Sequence, residues 1–145
     1  MPLLNFKKQF VEPIRDGVKH HTIRATRKYP VKPGDKLYLY CGARHPGAFR
    51  ILPEPATCTS TYDVQIRIVF ILSASQLKEE TVIIDGQKLD VSEMERLAHA
   101  DGFSDWNQMR WFWIETHGKA KPAMGYRYSI VNFTGQIIHW KESVQ

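Results

Sequence analysis

The alternation of apolar and polar positions is clearest over residues 57–72, where Tyr62, Val64, Ile66, Ile68 and Phe70 alternate with Asp63, Gln65 and Arg67 before the chain turns apolar throughout. A period of two marks a strand with one covered face, and this length predicts a strand that bends or wraps a barrel. Residues 36–41 repeat the pattern: Leu37, Leu39 and Cys41 form an apolar face, Tyr38 and Tyr40 an aromatic one. Residues 20–26 also alternate, with Ile23 on one face and Thr22 and Arg24 on the other. Val82, Ile83 and Ile84, then Asp85-Gly86, then Lys88 to Asp90 predict a hairpin. Residues 126–133 and 137–140 predict the last strands, on either side of Gly135.

Helical spacing is confined to three places. Phe10 and Ile14 share a face, with Pro13 suited to a first turn and Gly17 to a stop. Ser92 and Glu95 match a capping box opening a helix in which Met94, Leu97 and Ala98 share a face, and Asp101-Gly102 ends it. A further helix starts at Ser104, and its stripe of Trp106, Met109 and Trp113 reads as core, with Trp111 off the stripe. Between the elements lie a type II turn at Pro33-Gly34, a long loop over 42–55 with Arg44 in it, and a Lys/Pro/Gly segment over 119–125. The fold class is therefore α+β, mostly strands, in a single domain over 1–145.

Composition narrows the function little. At 145 residues, 20 Lys plus Arg stand against 15 Asp plus Glu, a formal charge of +5 that suits a phosphate-bearing partner and equally fits a plain soluble protein. Cys41 and Cys58 belong to no C-x-x-C pair, and none of the six histidines makes a metal-ligand spacing; His20 and His21 are neighbours pointing to opposite faces of a strand. No cofactor or metal is expected. No secretory leader or long apolar segment is evident, so a cytoplasmic protein with reduced thiols is expected, without a membrane or an obligatory protein partner. Nucleophile-elbow, phosphate-loop and dinucleotide glycine motifs do not occur, which removes serine hydrolases, nucleotide triphosphatases and dehydrogenases on motif grounds.

Lys19, Thr22 and Arg24 remain. A lysine with a lowered pKa is able to take a proton from a threonine hydroxyl, and an arginine beside them is suited to a phosphate, a carboxylate or a developing oxyanion. Taken alone, the same three residues fit an ordinary surface strand with solvated polar side chains better than a site. Strict alternation puts Lys19 on the face opposite Thr22, so the two cooperate only if Lys19 lies at the bend before the strand.

The run Gly17-x-Lys19-x-x-Thr22-Ile23-Arg24, followed by Val31-x-Pro33-Gly34-Asp35-x-Leu37 and by Ala100-Asp101-Gly102-Phe103, resembles the ASCH domain family. The resemblance implies a PUA-like β-barrel of mainly antiparallel strands with flanking helices, and a cleft for RNA or a modified nucleoside. Small bacterial members hydrolyse 4-acetylcytidine through a Lys, Thr and Glu set; others are ribonucleases or RNA-binding modules. On this chain the resemblance implies Lys19 as base, Thr22 as nucleophile and Asp101 in place of the glutamate, one methylene shorter. Arg24, Tyr40 and Arg44 are the expected substrate or RNA contacts.

Overall fold

In the computed structural model, which describes residues 2–123 and 125–142, two 16-residue strands form the spine: β5 (Ala56–Ile71) and β9 (Tyr126–Lys141) pair antiparallel from Thr57↔Lys141 to Ile71↔Tyr128. The other edge of β5 takes β3 (Lys36–Cys41) at its start and β6 (Gln76–Ile84) along its second half. The other edge of β9 takes β2 (His21–Ala25) and β8 (Lys119–Ala123). β3 also carries β1 (Leu3–Phe6), in the sole parallel pairing among the described residues, and β4 (Phe49–Arg50); β7 (Gln87–Lys88) closes a hairpin with β6. The result is a mixed nine-strand sheet with three helices, α1 (Val11–Arg15), α2 (Val91–Ala100) and α3 (Trp106–His117).

The sheet is not closed into a barrel, contrary to the expectation drawn from the motif resemblance. No ladder joins β1 to β2 among the described residues. Side chains span that seam instead: Arg24 Nη2 donates to the carbonyl of Asn5 and Arg27 Nη2 to that of Leu3, each at 2.6 Å. On the far side β2 lies so near β9 that a Cβ on Gly135 would stand 2.2 Å from the carbonyl oxygen of Arg24.

The patterns read from the sequence explain most of this. Leu37, Ile66, Ile68, Ile137 and Ile138 are buried on the covered faces, and Met109, Trp106 and Trp113 bring α3 into the same core, while Trp111 stays part-exposed against Phe70. Asp85 and Gly86 both take positive φ, as a two-residue hairpin with right-handed strand twist requires. Three expectations shift. The capping box is Asp90 with Glu93, two residues before the predicted Ser92 and Glu95; Ser92 Oγ instead accepts from Arg96, and Glu95 accepts from the Trp106 amide at the start of α3. α3 is capped by Asp105, not Ser104. The 119–125 segment holds β8, with Pro122 in an outer strand where a missing N–H is tolerated. No helix among the described residues is long and apolar enough to cross a membrane.

Candidate functional site

Two helix ends build the site. α1 stops in a paired backbone turn: the Gly17 amide donates to the carbonyl of Ile14 (3.2 Å), and the amides of Val18 and Lys19 both donate to that of Pro13 (2.9 and 3.0 Å). Gly17, at φ 74°, supplies the left-handed residue such an ending favours. Lys19 therefore sits at the bend before β2, where cooperation with Thr22 requires it, and its side chain runs inward to 2% exposure.

α2 ends by the same device. The Gly102 amide donates to His99 O and the Phe103 amide to Ala98 O, with Gly102 at φ 96°. This leaves Asp101 as the last residue of the turn, 6% exposed, offering two acceptors to Lys19. Lys19 Nζ donates to the Asp101 main-chain carbonyl at 2.8 Å and forms a short contact with Oδ1 of the same residue. A cation at a helix C-terminus also meets the negative end of the helix dipole. A Cβ on Gly102 would lie 3.4 Å from both Lys19 Cδ and Pro13 Cβ, at van der Waals contact, so it is the positive φ that calls for glycine here. The ammonium also lies 4.8 Å from the centre of the Phe10 ring.

Thr22 and Arg24 enter from β2. Arg24 Nε donates to Thr22 Oγ1 at 3.1 Å, and its guanidinium packs over the Phe6 ring at 4.6 Å. Since the hydroxyl oxygen accepts from Arg24, the hydroxyl proton is left for another acceptor.

The charges push one another. Burial lowers the Lys19 pKa from its ordinary value; Asp101 pulls it back up, and Arg24 adds to the lowering. For Asp101, burial alone would raise the carboxyl, but Lys19 and His21 outweigh it and hold the group below the usual range. Burial and the neighbouring Arg27 lower Arg24 to about 10, which leaves it charged at neutral pH.

These groups open onto one cleft of about 250 Å³ along the β1–β2 seam, lined by Lys19, Thr22, Arg24 and Asp101 together with the rings of Phe6, Phe10, Phe112, Trp113 and Phe133. Flat apolar walls beside a basic, hydroxyl-bearing patch fit a planar ring with a polar edge. Tyr40 and Arg44, expected as ligand contacts, are not brought to this cleft. They line a second, more open depression with Arg27 and Leu3, where Tyr40 Oη accepts from Arg50 Nε at 3.2 Å.

Two sets of residues escaped the sequence reading. The aromatic walls come from β1, β9, α3 and the turn before α1, and no local pattern links those segments. His21, 3% exposed, lies against Asp101, whereas the sequence indicated only that its side chain and that of His20 face opposite ways. Among the described residues no group of three or more His, Cys, Asp or Glu is placed to hold a metal ion, and Cys41 and Cys58 are buried free thiols. Compared with protein-family models, curated proteins and solved structures, the chain finds no match.

Proposed function

We propose that this protein is a nucleoside amidohydrolase of the ASCH type, an open version of the PUA-like arrangement acting in the cytoplasm, and that its cleft takes an acylated cytidine. The observation that carries the reading is the desolvated Lys19, held by Asp101 and sharing one aromatic-walled cleft with Thr22 and Arg24. Burial supplies the lowered pKa that a lysine base needs, and Asp101 fixes where its nitrogen stands.

In this reading neutral Lys19 takes the hydroxyl proton as Thr22 Oγ1 attacks the acyl carbonyl carbon. Arg24 faces the oxyanion that forms. Collapse breaks the bond to the exocyclic nitrogen, Lys19 returns the proton to that nitrogen, and cytidine leaves with the acyl group esterified to Thr22. A water deprotonated by Lys19 then splits the ester, restoring Thr22 and releasing the carboxylate and one net proton. No cofactor takes part. Wild-type protein is expected to turn over 4-acetylcytidine, and Lys19→Ala to lose that activity while keeping its circular-dichroism spectrum; a wild type inert toward every acylated nucleoside overturns the reading.

A second reading, a non-catalytic RNA-binding module, draws on the depression lined by Arg27, Tyr40 and Arg44, which adjoins the cleft along β1 through Leu3 and Asn5. Phosphates held there and a base stacked in the cleft would give salt-sensitive RNA binding that survives Thr22→Ala, with no product formed. Cleavage of a labelled RNA strand would mark instead a ribonuclease using the same lysine.

A further inference from the structure

The mechanism above leaves one buried titratable group without a task. His21 Nε2 lies 3.2 Å from Asp101 Oδ1, close enough for an ion pair though not aligned as a hydrogen bond, and it has no other hydrogen-bonding partner among the described residues. The same oxygen receives Lys19 Nζ, so one buried carboxylate oxygen stands between two nitrogen bases. The imidazole does not line the cleft. Behind it, His139 of β9 meets its ring edge-on at 5.1 Å, and Tyr62 of β5 follows at 5.8 Å from His139, exposed to solvent.

We propose that His21 is a positioning residue that shares the Asp101 carboxylate with Lys19 and thereby weakens the hold of that carboxylate on the lysine proton. A lysine locked in a private buried ion pair stays an ammonium and takes no proton from Thr22. A second nitrogen held 3.2 Å from the same oxygen, when it carries a proton, withdraws part of the negative potential from Lys19. The amine is then easier to deprotonate while its position stays fixed. The charged and titratable groups facing His21 are Asp101 at the end of α2, Lys19 in the bend, and His139 with Tyr62 behind it from β9 and β5; Arg24 acts on Lys19 from the cleft side. The effect is therefore read on Lys19, whose proton the shared carboxylate holds.

This inference rests on the amidohydrolase reading for its catalytic consequence, but its test has a direct readout. In full-length protein labelled with 13C at lysine Cε, the Lys19 resonance is followed against pH in wild type, His21→Phe and His21→Gln. In His21→Phe the Lys19 titration is expected to move up by roughly one pH unit, a tenfold shift in the equilibrium. The acidic limb of kcat/KM for 4-acetylcytidine moves with it, so activity lost near neutrality returns at higher pH. His21→Gln, which keeps an N–H at nearly the same reach, restores both. A residue that only fills space would lower activity equally at all pH values and leave the titration in place. An unchanged Lys19 titration in a folded His21→Phe overturns the proposal, as does a uniform loss of activity. Should that variant not fold, His21→Leu carries the same test: a raised Lys19 titration supports sharing, and an unchanged one overturns it. A wild type without turnover removes the amidohydrolase reading and leaves the titration test standing.

Discussion

Lys19 and Asp101 stand 82 residues apart in the chain, yet each is delivered by the same backbone device, a helix ended by a glycine in a left-handed conformation. Their contact ties the end of α1 to the end of α2, so the site is also a structural joint. Removing the Asp101 carboxylate leaves Lys19 buried without its counter-charge. Asp101→Ala is expected to cost about 3–5 kcal/mol in a urea titration, whereas Lys19→Met combined with Asp101→Leu should cost clearly less than the two single changes summed. Additive losses would mean that the pair carries no coupling.

Gly102 is set at φ 96°, and a Cβ there would rest in van der Waals contact with the Lys19 stem. Gly102→Ala is expected to destabilise by about 1–3 kcal/mol through backbone strain alone. Relaxing that strain shifts the turn that carries Asp101, the partner of Lys19, so on the proposed function hydrolysis of 4-acetylcytidine should fall further than stability accounts for. Equal loss at Gly86→Ala, on a hairpin far from the cleft in the chain, would remove that distinction.

The pH dependence of stability has a definite sign. Asp101 titrates below its ordinary 3.8 in the folded chain, so its contribution is present above that value and is lost as pH falls through the folded pKa. Lys19 titrates below its ordinary 10.5, so the unfolded chain holds the extra proton in the window beneath 10.5 and stability from this group rises with pH there. His117 and His139, both lowered from 6.5 by burial first, withdraw stability as pH drops below that value. Melting temperatures of wild type and Lys19→Met, compared from neutral pH to 10.5, should diverge in favour of wild type as pH rises.

The tryptophan-rich helix separates core from surface. Met109→Ala should cost about 2–5 kcal/mol, because its side chain is fully enclosed. Trp111→Ala, which removes a part-exposed ring resting edge-on against Phe70, should cost less than Met109→Ala and, on the proposed function, leave activity in place. Denaturant midpoints for the two variants check the order.

What the sequence made legible was local. Gly17, Gly34, Asp85-Gly86 and Gly102 each take the positive φ or adjoining turn that a short residue pattern calls for, and the alternation over 57–72 matches β5 almost residue for residue. Lys19, Thr22 and Arg24 were close in the chain, and their shared cleft followed from the bend. β8 was missed because all five of its residues are exposed and no alternation marks it; it exists through pairing with β9. The open β1–β2 seam, the parting of Tyr40 and Arg44 from the cleft, and the place of His21 beside Asp101 all depend on where distant segments come to rest. Short-range periodicity carries no such information.

Gly135 takes no part in any chemistry, yet it acts as a gauge for the site. Among the described residues the strand bearing Thr22 and Arg24 has β9 as its one ladder partner, and it approaches at this point to a distance that admits only hydrogen on the opposing residue. A Cβ there would also stand 2.8 Å from the Phe133 ring, a wall of the cleft, so any side chain would have to displace β2 or that wall. The spacing between the strand that bears Thr22 and Arg24 and a ring of the cleft wall is thus held by the smallest residue in the sheet.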